Sequence, residues 1–339
     1  NMGAGTAQGG ACLLISGKER KNMEFVVFAG VLLLLFIFMI VQELIQTKNQ
    51  EKLFKKYLRE NYGKEPPKEY SLERFARLGS YLERHKEEKQ LDDITWNDLG
   101  MDEVFRRIDR TYSAAGEEYL YYTLRNISCG REALEHLEEV VNWLQEQENI
   151  KVRIQLLMKR LGHLGKYSLY DYLDNLDYLG ERSNRKIVLE NLLYLPFLLL
   201  LFVQPAMGTI GIVLCMLWHI MTYFREKKVI EPYIISFAYV LRLIDVCEEL
   251  EKQKIPVYRR ELDELREALK SLRELRRGAY WVMAGNQGKI GGNPLDILAD
   301  YLRMILHLDI FQFNRMLEKL RKKTGQVETM LAITGYLDM

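Results

Sequence analysis

One glycine-rich segment has residue types that could contact a phosphate. Gly-Asn-Gln-Gly-Lys-Ile-Gly-Gly occupies residues 285–292. A phosphate-binding P-loop requires GxxxxGK[ST], in which backbone amides surround the phosphates and the final hydroxyl binds magnesium. Here the glycine spacing is too short, Ile290 stands at the hydroxyl position, and no apolar strand precedes the segment. We therefore predict a turn before the last long helix rather than a nucleotide site.

The histidines and cysteines also lack the spacing of a metal or catalytic site. The four cysteines are far apart and form no CxxC pair, which argues against zinc or a disulfide scaffold and fits a reducing cytosol. Cys215 and His219 lie one turn apart in an apolar segment, where we interpret them as packing residues. Asp171, Asp174 and Asp177 recur at every third residue and are interpreted as a solvated helix edge. The sequence predicts no catalytic residue, cofactor site or metal site in this chain.

The charge balance limits the possible partners. Lys and Arg total 48 against 47 Asp and Glu, so no general excess of cations indicates nucleic acid binding. Any contact with DNA must come from a local patch, and the cations between Arg259 and Arg277 are the candidates. A solvated helix face explains those cations equally well. Proline is scarce while Leu, Glu, Lys and Arg abound, a composition that predicts an all-α protein.

Residues 95–125, TWNDLGMDEVFRRIDRTYSAAGEEYLYYTLR, have the pattern of two short helices joined by a capped turn. Asn97 or Asp98 can cap the first helix, and Thr111 or Ser113 can cap the second. Two glutamates in the first turn of the second helix are favoured there by the helix dipole. Gly116 costs about 1 kcal/mol against alanine inside a helix. We therefore predict that a close helix contact or a special backbone angle requires it.

This segment resembles the start of the core (lever) domain of the MutS family of DNA mismatch-repair ATPases. In that family an apolar residue, a Thr, a further Ser or Thr, a Gly and a Leu-rich helix follow in order. The surrounding WNDL and GEEYLYYTLR are most similar to a membrane-associated, MutS-related subgroup of Gram-positive bacteria. The alternative is an ordinary capped helix pair in an unrelated helical protein. The corresponding positions, here called the motif residues, are Ile108, Thr111, Ser113, Gly116 and Leu120.

The resemblance implies a lever that passes nucleotide-driven movement to helices that contact DNA, with structural roles for the motif residues. It also implies an ATPase domain C-terminal to the core. ATP, magnesium and a homodimer contact are expected of that domain, beyond Met339, and this chain is expected to be an N-terminal part of a longer protein. Double-stranded DNA is a candidate partner. Mismatch recognition is not expected, because no Phe-x-Glu wedge occurs between the first apolar segment and Thr95.

Residues 25–41 contain no polar side chain and predict a membrane anchor. Extended through residue 45, the segment reaches about 30 Å, the thickness of the hydrocarbon layer. A cleaved signal peptide is the rival, but no small-residue cleavage site follows. We expect the anchor at residues 23–45. Residues 1–22 are expected to be an untranslated or disordered leader, with translation starting at Met23.

A second apolar region, residues 187–224, predicts a transmembrane hairpin that turns at Gln204-Pro205. Cations flank both outer ends and none lies at the turn, as the positive-inside rule expects when both ends face the cytoplasm. Pro196 is expected to kink the first half. The alternatives are a buried soluble hairpin or a helix pair lying in the membrane interface.

The predicted fold is therefore an all-α, MutS-like core or lever bundle with an N-terminal transmembrane anchor and an inserted transmembrane hairpin. We expect a charged, solvated helical linker at 46–90, core helices at 91–186 and 225–339, and the hairpin at 187–224 between them. Spaced leucines in residues 262–275 are expected to pack within the chain. The last long helix is expected at 295–320, stopped near Gly325.

The sequence is compatible with three functions. The first is a MutS-like core at the bacterial cell membrane, with membrane lipid as a partner and the soluble parts in the cytoplasm. The second is a membrane scaffold whose cytoplasmic helical bundle binds a protein partner without binding DNA. The third is an enzyme of unknown chemistry. Whether this chain alone has enzymatic activity stays open, although the resemblance implies an ATPase for the longer protein.

Overall fold

A computed structural model of the chain describes residues 34, 37–42, 44–64, 70, 72–87, 89–126, 130–164, 168–276 and 294–339. Within these ranges the regular structure is helical, and the only strand-like feature is an isolated bridge between Gln90 and Asn126. The all-α prediction is confirmed. The predicted leader, most of the predicted anchor and the glycine-rich segment at 285–292 lie outside the described residues.

The helices divide between two compact units. Helix α1, residues 44–60, belongs to the first unit, and the remaining helices belong to the second. Short 3₁₀ segments occur at Leu176–Leu179, Pro256–Tyr258 and Arg273–Arg276. The other α-helices are α2 Leu72–Arg84, α3 Asp93–Asp98, α4 Met101–Ile108, α5 Ala114–Arg125, α6 Arg131–Glu146, α7 Glu148–Leu161, α8 Leu169–Asp174, α9 Arg185–Leu192, α10 Tyr194–Val203, α11 Pro205–Lys252, α12 Arg259–Leu272, α13 Pro294–Leu306, α14 Leu308–Arg321 and α15 Thr324–Asp338.

The second half of α11 lies at the centre of the core of the second unit. Phe237, Leu243 and Ile244 are almost completely buried there. Helices α7, α12 and α15 pack around this part of α11. Leu265 and Leu269 of α12 are fully buried, which confirms that the leucine pattern packs within the chain. The apolar spacing on α12 therefore identified its buried face correctly.

Two helical stretches, Arg185–Val203 and Pro205–Lys252, are long and apolar enough to cross a membrane. The turn between them lies at Gln204, as predicted, and Pro205 begins the next helix. The first stretch is interrupted at Leu193, three residues before Pro196. A proline ring clashes with the carbonyl four residues earlier, so the expected kink takes the form of this break.

Two predicted features of the helices are wrong. Helix α11 continues for 48 residues, about 72 Å at 1.5 Å per residue, instead of ending at 224. Its charged middle is rich in helix-forming residues and carries no capping signal, and the helix tolerates Pro232 in its interior. The predicted last helix breaks at His307, whose φ of 53° is left-handed. The predicted end at 320 is confirmed, since α14 ends at Arg321, but Gly325 lies inside a further helix, α15, that the sequence did not predict.

The interpretation of residues 46–90 as a solvated linker is wrong for α2. Leu78 of this helix is fully buried and Tyr81 is nearly so. The helix packs against α5, and its cations face carboxylates of the bundle rather than solvent alone. The alternating charges of α2 wrongly indicated a solvated helix, because several of its arginines form ion pairs with carboxylates of other helices.

Two capping and surface interpretations also need correction. Asp92 caps the short helix α3 through the Thr95 amide, and Gly100 precedes α4, so neither Asn97 nor Asp98 is the cap. Asp171 is not simply a solvated edge, since its carboxylate accepts a hydrogen bond from the Ser168 amide in a capping box. In both cases the sequence did not reveal the local hydrogen bond that forms, from the Thr95 amide to Asp92 and from the Ser168 amide to Asp171.

Candidate functional site

Three of the motif residues, Thr111, Ser113 and Gly116, lie at the amino end of α5, which packs against α15. Ser113 has an extended backbone, and its Oγ accepts a hydrogen bond from the Gly116 amide at 3.1 Å. This confirms Ser113 as the helix cap. Thr111 has another role, because its buried hydroxyl donates to the Asp109 carboxylate at 2.6 Å. The two hydroxyl residues of the motif thus stabilise successive parts of one turn.

Asp338, at the end of α15, supplies a carboxylate to this helix terminus. Its Oδ2 accepts from the Ser113 amide at 2.7 Å and from the Ser113 hydroxyl at 2.6 Å. Its two oxygens each lie 3.1 Å from the Tyr112 amide. A carboxylate is favoured at a helix N-terminus, where unpaired amides and the helix dipole present positive charge. This contact, here called the α5–α15 clamp, joins residues 225 positions apart.

Glycines permit the close crossing of the two helices. A Cβ at Gly116 would collide with the Asp338 side chain. A Cβ at Gly335 would lie 2.6 Å from the Ala115 carbonyl oxygen, closer than real contacts allow. The close helix contact predicted for Gly116 is therefore present. The sequence did not indicate Gly335 as its counterpart on α15.

Glu117 forms a buried ion pair with two arginines of α2. Its side chain is fully buried, and one oxygen lies 2.7 Å from an Nη of Arg77, itself almost completely buried. Arg74 binds the other oxygen, and Nδ1 of His163 lies 3.7 Å away. Removing one partner of a buried ion pair commonly costs about 3–5 kcal/mol, because the other charge stays unpaired. This pairing fixes α2 against α5.

Glu118 is also buried but has a different environment. The Ser168 hydroxyl donates to its Oε2 at 2.9 Å. Burial raises the pKa of the Glu118 carboxyl to about 8, since water is excluded from the charged form. This carboxyl therefore holds its proton at neutral pH. The sequence suggested only a favourable helix-dipole effect for both glutamates, and only the tertiary contacts distinguish the arginine-paired Glu117 from the protonated Glu118.

The remaining motif residues lie outside the clamp. Leu120 is buried on another face of α5, in an apolar cluster with Trp96 and Phe105. Ile108 is 44% exposed at the end of α4 and joins no core cluster among the described residues. The structure therefore brings Thr111, Ser113 and Gly116 together at one helix terminus.

The proposed DNA-contacting cations are largely paired. Arg266 of α12 lies 3.0 Å from Glu251 and 2.7 Å from Asp263. Lys270 and Arg273 also pair with glutamates. Arg259 and Arg260 are exposed at the start of α12, whereas Arg277 lies outside the described residues. The described part of this stretch therefore retains only a small patch of cations that could bind phosphate.

His219 and Cys215 lie in the hairpin as packing residues. His219 is fully buried, with Nδ1 2.8 Å from the Cys215 carbonyl oxygen and its ring beside His307. Within the described ranges, no group of three or more His, Cys, Asp or Glu residues has an arrangement that could hold a metal ion.

No family model matches this chain, and no curated protein or solved structure is significantly similar to it. The geometry at the amino end of α5, together with the motif resemblance, is therefore the basis for a functional proposal.

Proposed function

We propose that this chain is the membrane-anchored core region of a MutS-like, DNA-repair-type ATPase. In this role it transmits nucleotide-driven movement to helices that contact DNA. The α5–α15 clamp is the observation that supports the proposal most directly. Ser113 and Gly116, two motif residues, hold the end of the last helix by hydrogen bonding and close packing. In the proposal, the ATPase domain follows α15 along the chain.

The described contacts offer a mechanical route from α15 into the bundle. The clamp joins α15 to α5, and the Glu117 ion pairs join α5 to α2. Helix α15 also packs against α12 and α11. Because α11 is one continuous helix from Pro205 to Lys252, a displacement of its packed half is passed to the hairpin. Coupling of this kind travels through packed, rigid elements.

We place the hairpin in the bacterial cell membrane, with the soluble parts in the cytoplasm. Apolar side chains near its turn are exposed, since Phe202 is 90% exposed and Val203 is 78% exposed. Lipid is the solvent that such surfaces require. Arg185 and Lys186 before the hairpin and Arg225 after it favour cytoplasmic ends. A membrane-impermeant label on a cysteine placed at Gln204 should react only from outside intact cells.

DNA binding is the property that best separates the proposal from a protein-binding scaffold. The purified chain in nonionic detergent should bind duplex DNA with an affinity that falls as salt rises, because phosphate contacts release counterions. The double variant R259Q/R260Q should lose about tenfold or more in affinity and show a smaller salt slope. R131Q is the matched control, since Arg131 is 91% exposed on α6.

Two results would count against the DNA role. One is the absence of binding even at low salt, which favours the scaffold. The other is an equal loss in R131Q and in the double variant, which would show only a general charge effect. The membrane placement is tested separately by the label at Gln204, so either part can fail alone.

A further inference from the structure

A solvent-open cleft of about 850 Å³ lies between α2, α5, α6, α12 and α15. Its volume is in the range of binding sites for small ligands and peptide side chains. None of Ser113, Gly116, Glu117 or Asp338 lines it, so it is distinct from the clamp and the buried ion pairs. Its chemistry comes from two features, a group of tyrosines and a set of carboxylates.

The tyrosines form a connected cluster on one wall, here called the tyrosine cluster and consisting of Tyr81, Tyr119, Tyr122 and Tyr336. The rings of Tyr81 and Tyr122 meet edge to face with centroids 5.1 Å apart. Tyr119 lies 5.6 Å from Tyr81 and 5.9 Å from Tyr336. Tyrosine faces carry negative electrostatic potential and attract ammonium and guanidinium groups. Such a wall favours an organic cation.

The carboxylates give the cleft a negative charge. Glu132, Glu261 and Glu264 line it, together with Glu328, which pairs with Arg84, against one lining arginine, Arg260. The side chain of Glu261 is only 19% exposed, and Nε2 of His136 lies 3.4 Å from its Oε1. Its Oε2 is buried with no hydrogen-bond partner among the described residues. An unsatisfied buried carboxylate oxygen is costly, and a cation brought by a ligand to the exposed part of the Glu261 side chain would lower that cost through its charge.

An apolar wall completes the cleft. Leu134 and Leu137 of α6 line it and are 52% and 36% exposed. Helix α6 buries only Val140 among its residues, so its apolar face is largely uncovered. A ligand that combines cationic groups with apolar ones would match both walls. Among the charged lining groups a phosphate would match Arg260 but face the four carboxylates, so nucleic acid does not fit the cleft as a whole.

We propose that this cleft binds a basic peptide segment of a partner protein. A lysine or arginine side chain enters the tyrosine cluster and pairs with Glu261, while apolar neighbours in the peptide pack on Leu134 and Leu137. The proposal does not depend on the MutS-like function. It assigns a surface and a partner chemistry to the cytoplasmic bundle.

The test mixes the purified chain in dodecyl maltoside with a fluorescently labelled peptide of sequence Lys-Leu-Lys-Leu-Lys. Binding is measured as the rise in fluorescence anisotropy of the peptide, and micelles without protein give the background. We expect E261Q and E264Q each to weaken binding by about tenfold, as loss of a close charge pair does. E267Q is the matched control, because Glu267 is on the same helix, 71% exposed and paired with Lys270. Y122F should bind within about twofold of wild type, whereas Y122L should lose about threefold to tenfold through loss of the ring.

The outcomes separate the possible occupants. Preference for the lysine peptide over its glutamate counterpart, with losses confined to the cleft variants, supports the proposal. Equal binding of the two peptides, or E261Q and E264Q behaving like E267Q, overturns it. Displacement of the peptide by free phosphocholine with the same variant dependence would identify a lipid headgroup as the ligand instead.

Discussion

Replacing Glu118 by glutamine should change how stability depends on pH. The carboxyl is fully buried, and burial raises its pKa from the ordinary 4.5 to about 8. Glutamine has nearly the same size and can still accept the hydrogen bond from Ser168. It cannot ionise, so E118Q removes the coupling between this site and pH while leaving the packing nearly intact.

The direction follows from proton binding in the two states. Below pH 4.5 the folded and unfolded chains both carry the proton, and the full contribution of Glu118 to stability is present. Between pH 4.5 and 8 the folded state holds a proton that the unfolded state has released, so stability falls as pH rises. Above pH 8 both states are ionised and the contribution is lost. Each pH unit within the window changes the free energy of unfolding by about 1.4 kcal/mol.

At pH 7 the accumulated loss for wild type is on the order of 3 kcal/mol, and E118Q avoids it. We expect the two proteins to have similar thermal midpoints at pH 5 in the same detergent. At pH 8 the midpoint of E118Q should be several degrees higher, read by tryptophan fluorescence. E103Q is the control, since Glu103 lies at the surface beside Arg106. Parallel pH profiles for wild type and E118Q would refute the assignment of a protonated Glu118.

Two further predictions concern the α5–α15 clamp. D338A should lower the free energy of unfolding by about 2–4 kcal/mol, because it removes a helix-terminal carboxylate and leaves buried amides unpaired. In a double-mutant cycle, S113A should destabilise the D338A variant less than it destabilises the wild-type protein. Additive losses of stability would contradict a direct contact between the two side chains. G335A should destabilise by about 1–3 kcal/mol through overlap with the Ala115 carbonyl. G325A, in open space on the same helix, should change little or stabilise, and equal effects of the two glycine variants in thermal unfolding would argue against the close crossing.

Local signals in the sequence predicted local structure well. Ser113 capped α5 as expected, because a hydroxyl before a helical run satisfies amides only three residues away. Gln204 marked the hairpin turn, since a polar residue followed by proline interrupts a long apolar run. The spacing of Leu265 and Leu269 indicated a buried face without identifying its partners.

Long-range pairings could not be predicted in the same way. Nothing in the sequence links Asp338 to Ser113, because the contact depends on how the helices of the bundle cross. Arg77 is indistinguishable from surface cations until its partner Glu117 is known to be buried. His307, where the predicted helix breaks, contacts Thr222 and Tyr223 of the hairpin, which are more than 80 positions away. One-dimensional patterns report periodicity and caps, whereas these features depend on distant partners.

Three carboxyl groups at one helix terminus have three different environments, and this bears on how the bundle could transmit movement. Glu117 is paired with arginines, Glu118 is protonated, and Asp338 caps the helix. Each arrangement is favourable only in its own position, because an unpaired buried charge or amide costs several kcal/mol. A small sliding of α15 would therefore not be absorbed gradually. The clamp either holds, and α5 moves with α15, or it opens, and Ser113 loses its partner. For the proposed lever, this polar contact thus favours discrete, rigid displacement over local deformation.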